Sequence, residues 1–228
     1  MIKTKGQVII ILSFLLCASL HAGEARKHLD TIKDFYSTHT PASFHAELEG
    51  VLIKKQLQTI PKNMVLFGKK PYAAFYFKKG FDPRIIVLHV EDFYKNMLSV
   101  YEELISDTGI FWGIKSIPAY RAHLREYDHY LFKKPDDRTG IKIVEREGLP
   151  GDYAVFTADK AGKIVSSKYF QNNKEQMECS ISYESVATYL LPSSIELTFL
   201  NEDFSYKKMT INFVRYKIAP LPDNLFIE

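Results

Sequence analysis

Alternation between apolar and polar positions sets in at Phe44 and returns along most of the chain. Phe44, Ala46, Leu48 and Leu52 share one face of a strand while His45, Glu47 and Glu49 share the other, the pattern of a sheet with one wet side. Gly50 lies on the apolar face, where a bend is easy. Residues 64–67, 72–77 and 84–90 read as three more strands, punctuated by Gly68, Pro71, Gly80 and Pro83. Seven further strands are expected at 127–132, 141–146, 153–158, 164–170, 178–186, 195–200 and 209–218. On the late ones Cys179, Ile181 and Tyr183 line one face, as do Ile195, Leu197 and Phe199, and then Met209, Ile211 and Phe213. Residues 159–162 form a tight hairpin turn, and 201–205 a second polar connector.

The period changes in two places. Leu29, Ile32, Phe35 and Tyr36 recur at helical spacing between Glu24 and Thr38, and Pro41 closes that segment. Phe93, Met97, Val100, Tyr101, Leu104 and Ile105 follow Glu91 and Asp92, which suit the positive end of a helix dipole, and Gly109 stops the run. Ser116 and Pro118 start a short helix through Arg125. About eleven antiparallel strands with one apolar face, and only two or three helices to cover it, imply an α+β fold in which a single curved sheet wraps around its helices. No internal domain boundary shows, so residues 23–228 read as one domain with a helical insert at 91–125. The apolar stripes fit an ordinary closed core, and they also fit helices that rest on a curved sheet and leave a cavity.

The first residues stand apart. Lys3 and Lys5 precede the apolar run from Val8 to Cys17, and small residues follow at Ala18, Ser19, Ala22, Gly23 and Ala25. This is the layout of a secretory signal peptide over residues 1–22, cut after Ala22 or alternatively after Ala25. The thirteen residues from Val8 to Leu20 fall short of the roughly 20 that span a bilayer. Anchoring through a lipidated Cys17 is a minor alternative, because Leu16 fills a position where such signals carry Gly or Ala. Without residues 1–22, 28 basic residues face 27 acidic ones and Cys179 is the one remaining thiol, so neither a polyanion-binding surface nor an intramolecular disulfide is expected. The composition departs from the ordinary in its 14 tyrosines and 16 phenylalanines, a large amount of stiff apolar surface that something must cover.

The chain carries no readable catalytic constellation. His123 and His129 flank Glu126 and Asp128 at a spacing that fits no zinc motif, so no metal is expected. His89 beside Glu91 and Asp92 reads as a cap or surface salt link. Cys179, in an alternating strand, reads as a buried, inert thiol. No serine stands in a nucleophile elbow, and no phosphate-binding glycine pattern occurs. The lysine pairs 54–55, 69–70 and 133–134 read as solvated strand ends. The sequence therefore describes a protein that is not an enzyme, carries no cofactor, binds no nucleic acid and acts as a monomer.

An exported chain that opens with an amphipathic helix, enters Ser43-Phe44-His45-Ala46, and later shows Lys69-Lys70-Pro71 before an aromatic strand resembles the periplasmic outer-membrane lipoprotein carriers of the Lol system. The wider lipoprotein-sorting superfamily is also similar at Tyr183 to Ile195, where a bend and Leu191-Pro192 precede a strand. The resemblance covers roughly residues 26–90 and 150–226. It implies a strongly curved, open antiparallel half-barrel covered by helices, whose hollow receives lipoprotein or lipid acyl chains. Phe44, Ala46, Leu48, Tyr76, Ile195, Leu197, Phe199, Ile211 and Phe213 would then form the lipid-binding wall, with Leu29, Ile32 and Tyr36 as cover. Tyr76 would replace a family Trp. Lys70 stands where the family has an Arg that ties the lid shut, and Lys lacks the planar fork of Arg. The segment 91–125 replaces a short glycine-containing hairpin. The implied function is a noncatalytic periplasmic carrier that serves outer-membrane lipoprotein sorting, with inner- and outer-membrane transfer partners. The alternative is an envelope sensor or adaptor of the same fold that binds a protein.

Overall fold

The alternating segments pair into one antiparallel sheet of ten strands in the computed structural model of the chain, which describes residues 27–108, 126–134, 136–200 and 207–226. The strands are β1 (Ser43–Glu49), β2 (Tyr72–Lys78), β3 (Arg84–Leu88), β4 (Tyr127–Lys133) and β5 (Thr139–Glu145). They continue with β6 (Tyr153–Ala158), β7 (Ile164–Gln171), β8 (Lys174–Val186), β9 (Tyr189–Phe199) and β10 (Lys208–Lys217). Three α-helices accompany them among the described residues: α1 at 27–39, α2 (Val51–Gln58) and α3 (Val100–Asp107). Across the sheet the order is β3-β2-β1-β10-β9-β8-β7-β6-β5-β4. The first and last strands of the chain pair with each other at the third and fourth places of the sheet, and β3 and β4 are left as the two edges of an open sheet.

One face of this sheet carries the core. Register sets Ala46 opposite Phe75, Leu48 opposite Ala73 and Phe213, and Ile195 opposite Ile181 and Ile211. All of these side chains are buried. Phe44 stacks on Phe77 at 5.1 Å between ring centroids, and Phe75 meets Phe213 edge-on at 5.2 Å. The helices add Leu29, Ile32, Phe35 and Tyr36 from α1, Ile53 from α2, and Tyr101 and Ile105 from α3 to the same buried cluster.

A closed hydrogen-bond circuit fastens α1 to the sheet. The Ile164 amide donates to Tyr36 Oη at 3.1 Å, the two tyrosine hydroxyls meet at 2.7 Å, and the Tyr183 hydroxyl donates to the Ile164 carbonyl at 2.6 Å. With the Tyr36 hydroxyl donating to Tyr183, each hydroxyl gives one bond and accepts one. Burial pushes both phenols above their ordinary range. Tyr36→Phe strands the buried Ile164 N–H and should cost about 1–3 kcal/mol, read as a lower urea midpoint. A phenol whose pKa is raised by folding contributes stability that is intact below its unfolded value of about 10 and is lost as pH rises past it. The variant should therefore lose less stability than the native chain between about pH 10 and 12.

Three expectations are revised. The strand expected at 64–67 is instead a pair of 3-10 turns, Lys62–Met64 and Leu66–Gly68, with Val65 between them in an isolated antiparallel bridge to Val90, just beyond β3. Pro61 opens this stretch, and Phe67 and Gly68, at φ 57° and 60°, cannot continue an extended backbone. The sheet accordingly has ten strands rather than eleven. Leu52, counted on the apolar face of the first strand, belongs to α2, because β1 ends at Glu49. A Cβ at Gly50 would lie 2.4 Å from the Thr210 carbonyl oxygen, so only glycine allows the chain to leave the sheet this close to β10. Good helix formers follow, with Ile53, Leu57 and Ile60 at helical spacing. In the insert, a 3-10 turn at Asp92–Tyr94 precedes the later and shorter α3. The expected signal at 1–22 and the expected helix at 116–125 lie outside the described residues.

Candidate functional site

Eleven of the twelve expected lipid-binding residues lie in the core cluster or against it. Leu29, Ile32, Tyr36, Phe44, Ala46, Leu48, Ile195, Leu197, Ile211 and Phe213 are buried, and Phe199 is half-buried against them. They are brought together, and most are spent on one another as packing. Tyr76 is a correction. Strand alternation turns Phe75 and Phe77 toward the core and Tyr76 to the opposite face, where its ring lies 5.6 Å from that of His45. Lys70 is exposed and its ammonium has no hydrogen bond or ion pair among the described residues; its carbonyl lies 3.2 Å from His89 Nδ1, and much of the insert expected to serve as a lid lies outside the described residues.

Open space occurs elsewhere. A cavity of about 1080 Å³ lies between α2, the end of β1, the start of β10 and the connector that leads into β2. Leu48, Leu52, Ile53, Leu57, Ile60 and Met209 give it an apolar lining. Leu48 is the only expected wall residue that reaches it. Local sequence positions the rest: Gly50 starts α2 beside Thr210, and α2 lays Leu52, Ile53 and Leu57 along the cavity.

The polar part of the lining is unbalanced, with Lys54, Lys55, Lys70, Lys208 and Arg215 against Glu47 and Glu49. Both acids are occupied. Arg215 bulges from β10 at φ 52°, where three residues of β10 span the step that two residues of β1 make between His45 and Glu47. Its guanidinium stands 2.8 Å from each of the two carboxylates. Lys54, Lys70 and Lys208 form no ion pair among the described residues. Among the described residues the site thus joins an apolar interior to a mouth with surplus positive charge.

Reactive groups lie away from this cavity. Cys179 is buried on β8, and burial pushes its thiol up to about 12, which leaves it protonated at neutral pH. His129, on the edge strand β4, is lowered chiefly by burial. Among the described residues no group of three or more His, Cys, Asp or Glu side chains is placed to hold a metal ion. None of the helices among them is long and apolar enough to cross a membrane.

The missed features were α2 and the two ends of the connector into β2, Val65 and residues 70–72, which together carry about half of the cavity wall. The spacing of Ile53, Leu57 and Ile60 was the available signal for α2. No local signal announces the left-handed turn at Phe67.

The fold is similar to that of a LolA superfamily protein from Nitrosomonas europaea, at 7% sequence identity and a TM-score of 0.50, over 90% of this chain and 97% of that one. A DUF1329 family protein from Desulfovibrio piger gives 10% identity and a TM-score of 0.48, over 89% of this chain and 96% of its own. No family model matches the chain, and no curated protein matches it. At 7% identity the likeness to the LolA superfamily protein is one of fold.

Proposed function

We propose that the protein is a noncatalytic binder of acyl chains that seats its ligand in the cavity beneath α2. It would be exported by residues 1–22 to act as a single-domain carrier in the periplasm, in the service of outer-membrane lipoprotein sorting. The observation that carries this reading is the cavity itself: about 1080 Å³ with an apolar lining, just above the roughly 300–1,000 Å³ common for small-molecule sites. The fold likeness to a LolA superfamily protein adds support.

The energetics define what such a carrier must do. Each methylene taken out of water is worth roughly 0.8 kcal/mol, so a 16-carbon chain is worth about 13 kcal/mol, and it will not leave a bilayer unless something else covers it. A half-open pocket covers much of the chain and still allows release. The ligand is placed beneath α2 rather than in the bowl of the sheet because the bowl is occupied by Phe44, Phe75, Phe77 and Phe213.

The test is titration of the purified chain with 11-(dansylamino)undecanoic acid, followed by displacement with unlabelled fatty acids of increasing length. Dansyl emission should rise on binding, and affinity should grow by up to about fourfold per methylene until the cavity is full. Solvent extracts analysed by mass spectrometry should contain copurified lipid. An absence of both probe uptake and copurified lipid would end the proposal.

A further inference from the structure

We propose that the mouth of the cavity docks on an anionic lipid bilayer, with the Phe67 ring set among the headgroups and the surrounding lysines on the lipid phosphates. The inference rests on the acyl-chain reading and deepens it, because it supplies a route from bilayer to cavity that never crosses open water.

Phe67 is the starting observation. Its backbone is left-handed at φ 57°, a conformation that costs an L-residue energy, and its side chain is 85% exposed. A glycine or asparagine would relieve the backbone, and a polar residue would suit the solvent. The position bears both costs at once, as expected where a turn is built to present a ring outward. Gly68, also left-handed at φ 60°, completes the knuckle.

Location ties the knuckle to the site. Phe67 stands in the chain between Val65 and Lys70, both of which line the cavity. Val51, 72% exposed at the start of α2, adds a second apolar side chain to the same mouth. Lys69 and Lys70 follow the knuckle directly, and Lys54, Lys55 and Lys208 complete the basic ring, while Arg215 already engages the two acids. An exposed aromatic ring combined with clustered lysines is the two-signal arrangement that holds proteins on anionic membranes. Phe93 is equally exposed but lies beside Glu91 and Asp92, so exposure alone does not define the surface.

The experiment places a local reporter at the knuckle. In the full chain carrying Trp112→Phe, Phe67→Trp supplies a single indole at position 67. Vesicles of equal phosphatidylglycerol and phosphatidylcholine should shift its emission to the blue and allow quenching by lipids brominated near the headgroup. Pure phosphatidylcholine vesicles should do neither. Adding Lys54→Gln, Lys70→Gln and Lys208→Gln should weaken vesicle binding about a hundredfold at low salt. Phe67→Gly should raise Tm by about 2–4 °C by releasing the backbone, while dansyl-probe uptake in vesicle-free buffer stays unchanged. An indole that ignores anionic vesicles, or that responds equally to neutral ones and to the lysine-depleted chain, overturns the docking surface. Loss of probe uptake in every form, with the indole response intact, overturns the acyl-chain reading instead.

Discussion

Truncating Phe75 to alanine should destabilise the fold by about 3–5 kcal/mol, read as a lower denaturant midpoint with an unchanged slope. The ring is fully buried in β2, 6.0 Å from Phe44 and edge-on to Phe213 at 5.2 Å, so it joins three adjacent strands, β2, β1 and β10. Its neighbours in register are Ala46 and Ile85, and neither can collapse far enough to fill the hole. Tyr76→Ala, one residue along the same strand and on the opposite face, should cost much less. Similar losses at positions 75 and 76 would mean that the bowl is not the packed core described above, and would return the hollow to the middle of the sheet.

That contrast also marks what the sequence could disclose. Strict alternation gave β1 and the late strands their inward faces, because their large apolar side chains are buried on one side and a period of two is the signal. Alternation alone would have set Tyr76 outward between Phe75 and Phe77; the likeness to a carrier family turned it inward, and in the structure the pleat prevails. The end of β1 was not legible for a different reason. Val51 and Leu52 extend the local pattern, and what stops the strand is the Thr210 carbonyl beside Gly50, 160 residues away in the chain. Burial pattern likewise identifies which residues point inward, as it did for Ile195, Leu197, Ile211 and Phe213, but not whether their summed volume leaves a space. Among the described residues these side chains are buried against one another, and the cavity of about 1080 Å³ lies instead beneath a helix that periodicity could have found but strand reasoning absorbed.

Leu52→Trp should abolish most long-chain binding while leaving the fold intact. Leu52 is half-buried on α2 and faces the cavity, so an indole can enter open volume rather than displace packed side chains. Excluding three or four methylenes of a guest removes about 2.5–3 kcal/mol, close to a hundredfold in affinity. The loss should grow with the length of the guest, because short fatty acids can still bind without the occupied region, whereas a 16-carbon chain cannot. Leu197→Ala provides the opposing case: it should weaken the fold by about 2–5 kcal/mol and leave the affinity of the remaining folded molecules nearly unchanged, since Leu197 is buried on β9 and lines no part of the cavity. Competition assays on the two variants, run well below their melting temperatures, separate the possible locations. If affinity falls at Leu197 and holds at Leu52, the guest lies within the bowl, the aromatic core must open to admit it, and the cavity beneath α2 is not its seat.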